Sequence, residues 1–147
     1  MNGKGTLVLS ALALLGAAAG ALGGWDGALQ GLVLCMAADY ATGLACALVW
    51  KRSSKSPDGR FESKASVKGL LRKGAYLLIV LIGVRLDAAL GAGGFCRMAV
   101  ILFFTANDGL SVLENLGVMG VPFPQWMKDA FAAMKKQAGE TPLPQKR

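Results

Sequence analysis

The stretch "FFTANDGLSVLENL" at 103–116 decides the fold class of this chain. It follows the apolar run "MAVIL" at 98–102 without a break, and it carries two carboxylates and two asparagines. An apolar helix of about 20 residues is long enough to cross the hydrocarbon core of a bilayer. The polar residues then need an explanation, since a charge at the bilayer centre costs about 2.5–3.5 kcal/mol on insertion scales.

The composition favours a small membrane protein. The chain has 147 residues, of which 54% are hydrophobic, and it contains no histidine. A soluble enzyme would therefore lack its usual general acid or base near neutral pH. With no metal-ligand spacing and no nucleophile motif, we expect no catalytic residue, no metal and no cofactor. The cysteines are predicted to be small packing residues; they are Cys35, Cys46 and Cys96.

Four apolar stretches of about 19 to 24 residues predict an all-α membrane protein with four transmembrane helices. They cover about 5–24, 27–50, 74–92 and 95–118. Only Trp25-Asp26 separates the first two, and only Gly91-Ala92-Gly93-Gly94 separates the last two, so the spans are expected to form two helical hairpins. Residues 1–124 would then form the membrane domain, with a basic connection at 51–73.

The basic residues predict the orientation. All 16 Lys and Arg residues except Arg85 and Arg97 lie outside the four stretches, on one side of the membrane. By the positive-inside rule that side is the cytoplasm, so both termini are expected there. A secretory signal in the first stretch is an alternative, because small residues follow its apolar core.

Two basic segments are predicted to lie at the inner membrane surface. Residues 63–73 read as a short amphipathic segment whose cations are Lys64, Lys68, Arg72 and Lys73. Pro122 and Pro124 end the fourth stretch, and 125–138 has the apolar spacing of an amphipathic helix. Residues 139–147 read as a disordered basic tail. Binding to nucleic acid is the competing explanation of the charge, but no recognition motif accompanies it, so we expect no nucleic-acid partner.

Several charged residues fall inside the predicted spans. Arg97 is close enough to the outer end to reach the headgroups, and Glu114 is close to the inner end. The candidates for an intramembrane polar site, as pore-lining or packing residues, are Asp39, Arg85, Asp87, Asp108, Ser111, Glu114 and Asn115. Arg85 is a candidate partner for Asp39 or Asp108.

Helical spacing gathers these residues on narrow faces. Asp39 and Gly43 share a face of the second span, and Asp108, Ser111 and Asn115 share a face of the fourth. In the first span small residues recur every fourth position, which would allow close helix packing; the predicted packing positions are Gly16, Gly20, Gly24 and Gly43. The polar faces either lock the helices together or turn towards water in an oligomeric pore, and the sequence leaves both open.

Four segments resemble the phage-lysis and toxin-secretion holins. They are "ADYATG" at 38–43, "SKASVKGLLRK" at 63–73, "RLDAAL" at 85–90 and "NDGLSVLENLGVMGVPFP" at 107–124. The resemblance covers about residues 35–136, and Asp39, Ser111, Glu114 and Asn115 match polar positions of the family. Asp108 stands where the family pattern has a glutamate before the serine.

The resemblance implies a non-enzymatic protein that oligomerises in the bacterial inner membrane. Its partners would be the lipid bilayer and copies of itself. Its lesions would let an endolysin or a toxin leave the cytoplasm and so lyse the host. A small-solute channel or transporter is one rival reading, and a non-lytic scaffold or a holin antagonist is the other.

Overall fold

The computed structural model describes residues 3–51 and 63–139, and within them every regular element is helical. The predicted all-α class is confirmed for this part of the chain. Residues 52–62 of the basic connection, and the predicted tail beyond 139, lie outside the described residues. The helices are α1 (Gly3–Ala21), α2 (Gly27–Ala45) with a π-helical turn (Cys46–Trp50), α3 (Ser63–Leu90), α4 (Phe95–Val118) and α5 (Gln125–Gly139).

Three helical segments are long and apolar enough to cross a membrane: Gly3–Ala21, Gly27–Trp50 and Phe95–Val118. The helix α3 is not among these candidate spans, because Lys73, Arg85 and Asp87 interrupt its apolar sequence. It is also longer than expected. The amphipathic segment predicted at 63–73 forms the first part of α3, continuous with the apolar part that follows.

The helices α2, α3 and α4 form a bundle around a small apolar core. Its members are Leu29, Leu32, Met36, Tyr76, Val80 and Ile101. The ring of Tyr76 stacks on that of Phe104 at a centroid distance of 3.9 Å. Near the α3–α4 turn Gly83 lets the two backbones approach, since a Cβ there would lie 3.1 Å from the Cα of Arg97. The second predicted hairpin, α3 with α4, is therefore a packed pair.

The first predicted hairpin is not a packed pair. A sharp turn joins α1 to α2, with Gly23 at φ 88° and Gly24 at φ 104°, but no residue of α1 is buried. Open space surrounds Gly16 and Gly20, and Gly24 lies in the turn, so none of these three packs against another helix in the part of the chain that the structure describes. The physical reason is that α1 carries no polar stripe, and lipid gives an apolar helix no hydrophobic drive towards its neighbours.

The last helix folds back along α4. The turn between them contains Gly120, at φ 80°, followed by Pro122 and Pro124, which cannot continue a helix. A Cβ built on Gly109 of α4 would lie 2.5 Å from Cε1 of Phe131, so the ring of Phe131 sits directly on the glycine. The helix α5 thus docks on α4.

Candidate functional site

The predicted polar faces of α2 and α4 meet inside the bundle. Asp39 on α2 is 4% exposed, and Asp108 on α4 is 2% exposed. Ser111, one turn after Asp108, donates a hydrogen bond of 2.6 Å from its Oγ to Oδ1 of Asp39. The spacing that placed Asp108 and Ser111 on one helix face thus directs both into the interior of the bundle, where Asp39 also lies.

A lysine from the third helix joins the two carboxylates. The Nζ atom of Lys73 lies 2.8 Å from Oδ2 of Asp39 and 2.6 Å from Oδ2 of Asp108. Lys73 is only 8% exposed, so its ammonium group is held by protein rather than by water. Removing one partner of such a buried pair typically costs about 3–5 kcal/mol, because the remaining charge stays desolvated. We call Asp39, Lys73 and Asp108 the ion cluster; it joins α2, α3 and α4.

Neutral polar groups extend the cluster towards the carboxyl end of α4. Asn115 donates from Nδ2 to Oγ1 of Thr42 at 2.9 Å, and Thr42 donates to the carbonyl oxygen of Ala38 at 2.8 Å. We call the whole set the polar network; its members are Asp39, Thr42, Lys73, Asp108, Ser111 and Asn115. Each member has its hydrogen-bonding groups turned towards another helix or its own backbone, which is how buried polar groups avoid a desolvation penalty.

A second group of charges closes the end of the bundle at which α3 turns into α4. Asp87 accepts hydrogen bonds from the backbone N–H groups of Cys96, at 2.8 Å, and Arg97, at 2.9 Å. These are free N–H groups of the first turn of α4, whose N-cap residue Gly94 has no side chain to accept them. The carboxylate also lies at the positive end of the α4 dipole. Asp87 therefore caps α4 from α3.

Arg97 joins this end of the bundle to the α1–α2 turn. Its guanidinium group binds both carboxylate oxygens of Asp26, at 2.7 and 3.1 Å, and its Nε donates to the carbonyl oxygen of Leu22 at 2.6 Å. The hydrogen bond from Arg97, with one from the backbone of Leu29, lowers the pKa of Asp26 from 3.8 to about 2. The expectation that Arg97 reaches the headgroups is wrong, because the turn offers it a closer carboxylate.

The structure corrects two further sequence-based assignments. Arg85, the predicted partner of Asp39 or Asp108, is exposed. The cation that lies beside these two carboxylates is Lys73. The prediction that Lys73 lies at the membrane surface is accordingly wrong, whereas Lys64, Lys68 and Arg72 are exposed as surface residues would be. The remaining predicted positions divide simply: Gly43 is buried in α2, and Glu114 is exposed on α4.

The sequence held a signal for Lys73 that the surface interpretation passed over. The buried residues of α3 are Lys73, Tyr76, Val80, Gly83 and Asp87, which recur at intervals of three and four. That spacing defines a single helix face. Lys73 and Asp87 therefore lie on the same side of α3 as its apolar core residues, at opposite ends of the bundle, and each meets its partners there.

The docking of α5 was not predicted. Besides the contact of Phe131 with Gly109, Lys135 donates from Nζ to Oδ1 of Asn107 at 3.0 Å. Ala106, Gly109 and Leu113 recur at helical spacing on α4 and are all buried. Residues 125–138 thus have a protein surface to pack on in this chain, whether or not they also touch the membrane.

Taken together, the fold and the site define a class: a helical membrane protein whose apolar helices are held by buried ion pairs. In the two described ranges no three His, Cys, Asp or Glu side chains are grouped to hold a metal ion. The family model of the bacteriophage holin family matches residues 16–136, and the chain belongs to that family. Members of this family are in general not enzymes.

Relatives in several bacteria and a phage accompany this match. An uncharacterized Listeria monocytogenes protein, Lmo0128, is 34% identical over 109 residues, 74% of this chain and 72% of its own length. A Clostridium perfringens protein, CPE0383, is 29% identical over 116 residues, 78% of this chain and 80% of its own. A protein of Bacillus phage phi105 named "Probable holin" is 34% identical over 67 residues, 46% of this chain and 50% of its own. No solved structure matches the chain significantly.

Proposed function

We propose that this protein is a holin of the bacterial inner membrane. It accumulates there as a multi-pass protein, assembles with copies of itself, and above a threshold density opens lesions in the bilayer. An endolysin or a secreted toxin leaves the cytoplasm through these lesions, and the host cell lyses. No cofactor takes part. Family membership supports this role, as does the name of the phage phi105 relative.

The observation that carries the proposal is the buried position of Lys73 between Asp39 and Asp108. Lipid offers these charges no partner, so they are satisfied either by each other or by water. While the three helices stay together, the polar network closes the bundle. When neighbouring chains pull the helices apart, the freed faces require water, and this favours an aqueous lesion over a lipid-facing surface.

Four spans with both termini in the cytoplasm are part of this proposal. The charged residues of α3 would argue against a transmembrane helix only if their side chains faced lipid. Lys73 is neutralised within the bundle, Asp87 caps α4, and Arg85 is five residues from the outer end of α3, within reach of the headgroups. Cysteines substituted for Ala92 and for Lys51 test the topology. A membrane-impermeant thiol reagent added to intact cells should label the first and not the second; the reverse result would contradict it.

Induced expression in a bacterial host tests the function. The protein is expressed with and without a cytoplasmic endolysin that lacks its own export signal, while culture density and membrane potential are followed together. The proposal predicts abrupt depolarisation in both cultures and lysis only with the endolysin. Depolarisation without endolysin-dependent lysis would instead indicate a small-solute channel that uses Asp39 and Asp108 as its ion path. No effect on either would indicate a non-lytic scaffold or a holin antagonist.

A further inference from the structure

The first part of α3 presents a surface that none of the contacts above explains. Lys64, Lys68 and Arg72 follow one another at intervals of four residues and are all exposed. At about 3.6 residues per turn, such residues form a stripe along one side of a helix. We call these three residues the basic stripe. The buried face of α3, which includes Lys73 and Tyr76, lies next to the basic stripe and is turned towards the bundle.

Apolar side chains flank the basic stripe. Val67 is 57% exposed, Leu70 61% and Leu71 68%. A stripe of cations beside exposed leucine and valine side chains is the pattern of a surface that meets lipid at the boundary between headgroups and acyl chains. A surface that binds a soluble polyanion would not need the exposed apolar side chains of Val67, Leu70 and Leu71.

The length of α3 places the basic stripe at a definite depth. This inference rests on the proposed four-span arrangement. The 28 residues of α3 measure about 42 Å at a rise of about 1.5 Å per residue, whereas the hydrocarbon core is about 30 Å thick. Counting from Leu90 at the outer end, the core ends after about 20 residues, close to Leu71. Arg72 then lies at the inner edge of the core, and Lys68 lies about 6 Å further into the headgroup layer.

We infer that the basic stripe binds the headgroups of anionic phospholipids in the inner leaflet. Arg72 and Lys68 hold the phosphate groups, while Leu70 and Leu71 lie against the acyl chains. Among residues 63–90 the acidic residue is Asp87, and it lies at the opposite end of α3 from the basic stripe. No carboxylate within this helix therefore neutralises the three cations of the stripe. Each basic residue at such a surface typically strengthens binding to an anionic membrane about fivefold.

The test measures lipid binding rather than lysis, so its failure can be told apart from failure of the proposed function. The full-length protein is purified in a mild detergent, freed of lipid, and titrated with phosphatidylglycerol or phosphatidylcholine, and bound lipid is counted by native mass spectrometry. We expect a preference for phosphatidylglycerol that weakens as salt is raised. The double variant K68Q/R72Q should lose this preference by roughly 25-fold.

Two control variants keep the result interpretable. K4Q/K128Q removes two exposed cations elsewhere and should change the preference less than twofold. K68R/R72K keeps both charges and should retain it, while far-UV circular dichroism checks that all variants are folded. Equal binding of the two lipids would overturn the inference. So would an equal loss in K4Q/K128Q, or nucleic acid that copurifies with the wild-type protein and is lost in K68Q/R72Q.

Discussion

Lys73 and Asp108 are 35 residues apart in sequence, and their side chains meet at 2.6 Å inside the bundle. The ammonium group of Lys73 also contacts Asp39, so one cation from α3 joins the two carboxylates that the spacing of α2 and α4 had marked. The ion cluster therefore determines which helix faces pack together, and it supplies the polar groups that a lesion would expose.

Removing the cation should destabilise the bundle strongly. Lys73→Met leaves two buried carboxylates without this partner, and the expected loss in the free energy of unfolding is about 3–5 kcal/mol. Lys68→Met is the matched control, because Lys68 is exposed on the same helix and surface substitutions usually stay within about 0.5 kcal/mol. Thermal unfolding of the purified proteins in detergent compares them. Equal stability of the two variants would show that Lys73 is not held as described.

Weakening the cluster without abolishing it should change the timing of lysis. Asp108→Asn keeps the shape of the side chain, and Lys73 retains Asp39 as a partner, so the protein should still insert at the wild-type level. Because less charge then holds the helices together, depolarisation should come earlier after induction. Glu114→Gln is the control, since Glu114 is exposed on the same helix. Loss of the Asp108→Asn protein from the membrane would instead assign Asp108 a purely structural role.

The contact between Gly109 and Phe131 should control the docking of α5. A methyl group at Gly109 would lie 2.5 Å from Phe131 Cε1, whereas at Gly117 the nearest atom, of Phe123, is 3.8 Å away. Overpacking of this kind typically costs about 1–3 kcal/mol. Gly109→Ala should therefore loosen α5 and speed tryptic cleavage at its lysines in inverted membrane vesicles, and Gly117→Ala should not. In a Phe131→Ala background Gly109→Ala should cause no further increase in cleavage, because the clashing ring is gone. Unchanged cleavage in the single variant Gly109→Ala would contradict the docking.

The pair formed by Asp26 and Arg97 should make the contact between the α1–α2 turn and α4 sensitive to acid. The pKa of Asp26 is lowered from 3.8 to about 2 in the folded protein. The charged carboxylate therefore contributes stability in full above about pH 4, and this contribution is lost as the pH falls towards 2. Asp26→Asn should lower the melting temperature at pH 7, and its deficit relative to wild type should shrink between pH 4 and 2. A deficit that stays constant over this range would exclude the ion pair as its cause.

Sequence reasoning located the apolar helices well, because a run of about 20 apolar residues has few alternatives. It also identified Asp39, Asp108, Ser111 and Asn115 as polar positions on two narrow faces, because helical periodicity is a local property. Which cation pairs with the carboxylates on these faces depends on how the helices pack. Lys73 was overlooked because it ends a segment in which the other cations are exposed.

Two of the places where the prediction failed share a physical cause. The short link at Trp25-Asp26 predicts a turn but not packing, and α1 turns without joining the bundle. The amphipathic pattern of α5 predicts a half-buried helix but not its partner, which is the small residue Gly109. In both cases the missing information is the shape of a surface formed by several helices, and a single segment does not carry it.

We expect the polar network to be shielded from water in the resting protein, where Asp39, Lys73, Asp108 and Asn115 are buried and Thr42 and Ser111 partly buried, and to meet water when the lesion opens. The most direct measurement places a cysteine at Ser111, in a chain whose three native cysteines are replaced by alanine, and adds a membrane-impermeant thiol reagent before and after triggered depolarisation. Leu78→Cys, on the exposed apolar side of α3, is the lipid-facing control. Ser111→Cys should be labelled only after depolarisation, and Leu78→Cys should stay unlabelled throughout. A cysteine at Ser111 that remains unlabelled while endolysin escapes would contradict it.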